Sequence, residues 1–192
     1  MKLDHLQFPE KGWGYLPPTE EVFTIFKFCQ KKCKPTSVLE IGFHIGHSTT
    51  YMLEIFSDLE SMMSISPVKE VTGKPDDRVP DEVRSDMAKY LSENYRGKFQ
   101  WIPGTTSELS EKLYNYFFDF ALVDGNHHEI KATIDVKLCE DIAIPYILVD
   151  NWERFDVRKA TEKSSYKMVK RFFYEQTFKG KTSKNQMALF ML

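Results

Sequence analysis

The sequence predicts an α/β domain in which helices cover both faces of a parallel sheet. Two observations carry this: short, nearly uninterrupted apolar runs at 38–41, 62–65, 99–102, 118–123 and 146–149, and helical spacing in the gaps between them. A strand buried on both faces reads as a continuous apolar run rather than an alternating one. Repeated β-α alternation with right-handed crossovers gives a doubly wound sheet. Its ligand crevice lies beyond the carboxyl ends of the strands, so chemistry is expected just after each run.

Residues 1–18 hold Pro9, Gly12, Gly14, Pro17 and Pro18 among aromatics, a composition that resists regular structure and suits an arm or lid over an α/β core at 19–192. Thr19 is placed to cap a helix with Glu20 and Glu21 in its first turn. Val22, Ile25, Phe26 and Cys29 then recur at helical spacing up to Pro35. Further helices are expected at 48–56, 81–94, 106–116 and 129–141. Thr105 and Glu108 are spaced as a capping box, and Gly97 follows the second of these as a stop. The longest irregular stretch, 67–80, is polar and interrupted by proline. After the fifth apolar run a long helix is expected at 157–174, then a hairpin of 176–181 and 186–192 around Lys181-Thr-Ser-Lys.

A chain of 192 residues with 42% apolar side chains fits one domain, 1–192, with a sizeable core. No apolar run reaches the roughly 18 residues a membrane helix needs, and the first residues lack a signal peptide's apolar stretch. A soluble, cytoplasmic protein is expected, with no membrane partner. Cys29, Cys33 and Cys139 are an odd set in a chain that needs no staples, which fits free thiols in a reducing compartment. From Arg154 to Lys184 there are ten Lys or Arg against three Asp or Glu, an excess of seven that leaves −9 for the remainder. Such a basic third could meet an anionic substrate or nucleic acid, but is more often a solvated surface.

The most informative segment is Val38-Leu-Glu-Ile-Gly-Phe-His-Ile-Gly-His-Ser. An apolar strand runs into Gly42 and Gly46, where backbone can approach a ligand closely, and the following helix start presents amides to an anionic group. His44 stands where dinucleotide binders need a second glycine, which argues against pyrophosphate. Two further strands end in acidic residues, giving Asp124-Gly-Asn-His-His and Asp150-Asn. Both carboxylates emerge at the edge that carries Gly42 and Gly46. Asp124, Asp150 and the Asn151 amide oxygen are hard ligands suited to Mg²⁺ or Ca²⁺. Asp150-Asn151 alone also fits a turn with helix-capping side chains.

These segments resemble the class I S-adenosylmethionine-dependent methyltransferases, in particular the small cation-dependent O-methyltransferases that include catechol-type and macrolide-sugar enzymes. The similarity covers about 38–152. It implies a Rossmann-like seven-stranded doubly wound sheet of order 3-2-1-4-5-7-6 with the last strand antiparallel. Glu40-Ile-Gly-Phe-His-Ile-Gly-His-Ser resembles the methyl-donor loop, which assigns Glu40, Gly42, Phe43, His44, Gly46 and Ser48 to the donor. Ile102-Pro-Gly-Thr-Thr resembles the adenine-side loop, adding Gly104, Thr105 and Thr106; Asp124 belongs to both donor and metal loops. The resemblance implies a cation at Asp124, Asp150 and Asn151, with His127 near the acceptor hydroxyl. One departure stands out: the acidic residue that ends the family's second strand and binds the donor ribose is Ser66 here. A neutral hydroxyl is a weaker acceptor than a carboxylate.

The expected activity is metal-assisted methyl transfer to a hydroxyl of a small molecule or sugar, with Asp124 and His127 as the catalytic groups and S-adenosylmethionine and Mg²⁺ or Ca²⁺ as cofactors. An unperturbed imidazole is partly unprotonated at neutral pH, so His127 suits removal of a hydroxyl proton. Trp152, beside the metal residues, suits a wall against a ring or a cover for the core. The rival from another class is a binding module of the same fold without catalysis, which Ser66 favours. Nucleic-acid methylation is disfavoured, because no Asn/Asp-Pro-Pro-aromatic motif follows either strand. Homo-oligomerisation is left open.

Overall fold

A computed structural model describes residues 16–67, 80–178 and 181–192. The arm and the proline-interrupted stretch therefore lie mostly outside the described residues. Among the described residues six helices, α1 (Glu20–Cys33), α2 (His47–Ile55), α3 (Asp81–Asn94), α4 (Thr106–Leu113), α5 (Glu129–Asp141) and α6 (Phe155–Glu162), accompany seven strands. The strands are β1 (Ser37–Ile41), β2 (Ser61–Ser66), β3 (Phe99–Pro103), β4 (Phe120–Val123), β5 (Tyr146–Val149), β6 (Lys167–Phe178) and β7 (Lys181–Met191). They form one sheet of order β3-β2-β1-β4-β5-β7-β6. β1 to β5 are parallel, and β7 runs antiparallel to β5 and to β6. The expected order and the antiparallel last strand are both present.

The period-two geometry of each strand divides the apolar residues between two cores. Phe120, Leu122, Leu148, Met187 and Leu189 face α1, α2 and α3, where they meet Phe26, Tyr51, Met52 and Leu91. Ala121, Val123, Ile147, Val149, Ala188 and Phe190 face Leu113, Ala132, Val136, Cys139, Val157 and Ala160 of α4, α5 and α6. Cys29 and Cys139 are buried thiols in opposite cores, and burial raises the pKa of both. Thr19 caps α1 through Val22, and Thr105 with Glu108 closes a capping box on α4. Among the described residues no helix is long and apolar enough to cross a membrane.

The structure departs from the sequence expectation after β5. The long helix expected at 157–174 stops at Glu162, and Lys167–Phe178 is a twelve-residue strand paired along its length with β7. Its pattern is alternating: Phe172 and Tyr174 are buried, while Arg171, Phe173 and Glu175 are exposed. A register shift between Met168 and Lys170 breaks that alternation near the start, which blurs the period-two signal. Tyr166 anchors the entry to β6, its buried hydroxyl donating to the Ile144 carbonyl at 2.6 Å. Tyr166→Phe should lower the free energy of unfolding by about 1 kcal/mol, read from urea denaturation.

Candidate active site

The carboxyl edge of the sheet is locked one residue beyond each strand. Gly42 N–H donates to Ile65, Asp124 N–H to Ile41, Asp150 N–H to Val123 and Gly104 N–H to Ser66, all at 2.8–3.0 Å. The loops after β1, β4 and β5 are thereby brought side by side, as the motif positions require. Gly42 has φ +112, and a Cβ there would lie 2.0 Å from the Asp124 carbonyl oxygen. The close approach at this glycine is thus to the chain's own next loop.

A cleft opens between these loops, lined by Leu16, Gly42, Phe43, His44, His47, Ser48 and Asp124. Gly46, at φ +78, precedes α2 and gives it no side-chain cap, an arrangement in which a helix start can receive an anion. Phe43 is fully buried and packs on Phe99 and Trp101, each at 5.8 Å between centroids. His44 holds a positive φ. His47, outside the residues the sequence assigns to the donor, also lines the cleft. Burial and the neighbouring His44 hold its pKa down at about 3, so it is neutral.

Glu40 lies inside the α2 side of β1, fully buried, and accepts hydrogen bonds from the hydroxyls of Ser48, Thr49 and Ser64. Burial pushes its pKa up to about 7 against the pull of those three hydroxyls. Ser48 is thus committed to Glu40. Ser66 is also buried, its oxygen accepting the Trp101 indole N–H at 3.1 Å. Thr105 serves the α4 cap, and the buried Thr106 hydroxyl donates to Asp135 at 2.5 Å. Ser66, Gly104, Thr105 and Thr106 share the edge with the cleft but stand outside its lining, at the ends of β2 and β3.

Asp124 and Asp150 are brought against each other. Asp150 is buried, and the Tyr174 hydroxyl of β6 donates to it at 2.8 Å. Burial, then the negative charge of Asp124, raises the Asp150 pKa well above the usual carboxylate range, opposed by the Asn151 backbone, Tyr174 and His127. Asp124 is raised likewise, by burial and then by Glu40, with a hydrogen bond to Asp150 pulling the other way. Two carboxyl groups so placed oppose each other's ionisation and titrate as a pair. Asn151 sits in the left-handed region at φ 51, and its carbonyl accepts from Arg154 N–H. Among the described residues no three His, Cys, Asp or Glu side chains converge as a cation-binding group. The two carboxylates are hard oxygen donors of the kind a divalent cation takes.

His127 follows β4 with Nε2 3.6 Å from the Asp124 carboxylate. Its Nδ1 lies 3.0 Å from an Arg154 guanidinium nitrogen. A guanidinium only donates, so Nδ1 accepts, and the neutral ring carries its proton on Nε2, towards Asp124. A second recess, lined by Asn126, His127, Ala132, Asp135, Asp150 and Val157 among others, lies on the α5 and α6 side of the pair. The Asp135 pKa is pushed up to about 7 by burial.

Arg84, Asp135, Arg154 and Tyr174 escaped the sequence expectation. Arg84 is buried in α3 and donates to the His44 and Pro67 carbonyls and to Asp81, tying that helix to the loop after β1. No motif marks any of the four; for Tyr174 the signal was its place in an alternating strand.

Gly42→Ala should cost ~2–4 kcal/mol in urea denaturation, because the new methyl meets immovable backbone at a positive φ. The raised carboxyl pKa values predict a second outcome. The folded chain holds protons on Glu40 and Asp135 up to about pH 7 that the unfolded chain has lost, so this stability fades as pH rises through 7. His47 has the opposite trend, complete near its ordinary value of 6.5. Melting temperature in chelator should therefore fall from about pH 6.5 to 8.5, and less steeply in Asp135→Asn; a flat wild-type profile contradicts this.

No family model and no curated protein matches the sequence. Solved structures do resemble it. An O-methyltransferase from Bacillus cereus in complex with SAH superposes with a TM-score of 0.67 at 14% identity, covering 93% of this chain and 83% of that one. The O-methyltransferase TomG from Streptomyces achromogenes, involved in tomaymycin synthesis and solved with SAM, gives 0.62 at 15% over 92% and 82%. The methyltransferase domain of bacterial CtHen1-C gives 0.62 at 16% over 90% and 97%. The chain thus has the Rossmann-like fold of the class I S-adenosylmethionine-dependent methyltransferases, as its strand-end motifs imply.

Proposed function

We propose that this chain is an S-adenosylmethionine-dependent O-methyltransferase that acts on a hydroxyl of a small molecule or sugar. The observation that carries it is the position of the Asp124–Asp150 pair between two recesses, the Gly42–Ser48 cleft on one side and the His127 recess on the other. The backbone turn on one side suits the methyl donor, and the side chains on the other suit the acceptor. Transfer of a methyl group needs donor and acceptor aligned about 3 Å apart, so placement does most of the catalysis. The neutral His47 ring and the buried Leu16 keep the donor cleft free of added positive charge and partly dry, which suits a sulfonium ligand.

Asp124, Asp150 and Asn151 would hold a divalent cation, which when bound supplies a Lewis acid that lowers the acceptor hydroxyl's pKa. Tyr174 orients Asp150, and Arg154 orients His127. His127 would take the acceptor proton on Nδ1 once its ring turns from Arg154, leaving an imidazolium whose Nε2–H faces the Asp124 carboxylate.

A second reading, a binding module of the same fold without catalysis, draws support from Ser66, whose hydroxyl already serves Trp101. One experiment separates the two. Calorimetric titration with S-adenosylmethionine and S-adenosylhomocysteine, with and without Mg²⁺, should detect donor binding, and Mg²⁺ or Ca²⁺ should raise the melting temperature. Asp150→Asn should abolish the cation-dependent shift while leaving donor affinity within about threefold, since one ligand charge is lost and the donor cleft lacks that side chain. Absence of any shift at millimolar Mg²⁺, Ca²⁺ or Mn²⁺ overturns the cation, and absence of donor binding overturns the transferase.

A further inference from the structure

We infer that the acceptor carries an anionic oxygen group, a carboxylate or phosphate, held by Arg158 and Arg171 across the Trp152 ring; this rests on the methyltransferase reading above. Trp152 follows the Asp150-Asn151 pair directly, and its backbone N–H donates to the Gln186 carbonyl of β7, so it sits at the carboxyl edge beside the acidic pair. Its indole N–H is fixed by Thr161 at 3.3 Å. The Arg158 and Arg171 guanidiniums lie 5.8 and 5.7 Å from the ring centre, and Arg171 also lies 5.1 Å from the exposed Phe173. Arg154, one turn before Arg158, reaches His127.

The aromatic faces of Trp152 and Phe173 hold these guanidiniums in place but do not neutralise their charge. Arg154 and Arg158 are like charges four residues apart at the start of α6, where they also oppose the helix dipole. Among the described residues no carboxylate forms an ion pair with Arg158 or Arg171, although Lys159 and Lys163 of the same segment both pair with Glu129. An anion supplied by a ligand would offset the charge at Arg158 and Arg171, and a guanidinium fork binds carboxylate or phosphate oxygens in a defined plane. A small molecule fits better than a polynucleotide, because the basic residues do not form one track. Lys170 stacks on Phe28 and Phe172 on the opposite face of the sheet from Arg171.

The test uses phenyl phosphate, benzoate and neutral phenol as probes of the full chain, followed by NMR at the Trp152 indole N–H, with Trp152→Phe to assign the signal. Wild type should bind at least one of the two anions about tenfold more tightly than phenol, the stronger of the two identifying phosphate or carboxylate. The double variant R158Q/R171Q should bind all three alike, with its affinity for S-adenosylhomocysteine unchanged. If the double variant is unstable, Arg171→Gln alone, at an exposed strand position, should weaken anion binding at least threefold. Equal binding of anions and phenol by wild type, or an unchanged anion preference in the variants, overturns the inference. Binding of a uridine hexanucleotide ten times tighter than phenyl phosphate overturns it in favour of nucleic acid. A wild type that binds the anions but not S-adenosylhomocysteine overturns instead the methyltransferase reading, and with it the assignment to an acceptor.

Discussion

The site depends on the contact between Gly42 and the carbonyl of Asp124. Only a residue without a Cβ lets the loop after β1 lie flat against the loop after β4. The hydrogen bonds that extend the ladder past each strand then hold the two loops in register with Asp150. This one approach brings an amide-rich turn and a carboxylate to the same opening. It also leaves three acids, Glu40, Asp124 and Asp150, at a sheet edge where, among the described residues, no lysine or arginine forms an ion pair with them. The interior answers with hydroxyls instead: Ser48, Thr49 and Ser64 around Glu40, Tyr174 on Asp150. Neutral donors satisfy the oxygens without cancelling their charge, and the carboxyl groups keep a high affinity for a proton or a cation.

The two faces of the sheet divide the labour. On the α1 to α3 side, aromatic packing beneath the Gly42–Ser48 turn sets Phe43 in the core, and Arg84 clamps the turn to α3 through carbonyls. On the α5 and α6 side the surroundings are polar and charged, with His127, Arg154, Arg158 and Asp135. The asymmetry sets a backbone-lined opening on one face against a side-chain-lined one on the other. The backbone half is the half a sequence motif records.

Much of the fold was legible because a parallel sheet writes itself as apolar runs between helices, and five such runs were present. α3, α5 and β5 lie at 81–94, 129–141 and 146–149 as read. β6 was not legible: its alternation is broken by the bulge at Met168 to Lys170, and lysines with aromatics at mixed spacing imitate an amphipathic helix. That error hid Tyr174, whose link to Asp150 exists only once β6 lies beside β7. Gly42, Asp124 and Asp150 were legible because they follow apolar runs directly. Arg84, Asp135 and Arg154 were not, since each reaches the site through tertiary geometry from a helix or its cap. Ser66 was singled out for the ribose, and what the sequence had no means to reveal is that Trp101, on the neighbouring strand, already occupies its oxygen.

β6 has one more consequence, which concerns crowding rather than catalysis. It is one of the sheet's two edge strands, and a dozen residues of edge backbone would ordinarily template the addition of another chain. Lys167, Lys170, Arg171 and Glu175 stand exposed along it, and the register shift near its start bends it away from a flat ribbon. Charge and curvature together make docking of a second strand unfavourable, so the longest strand of the molecule is also a barrier to its growth into fibrils.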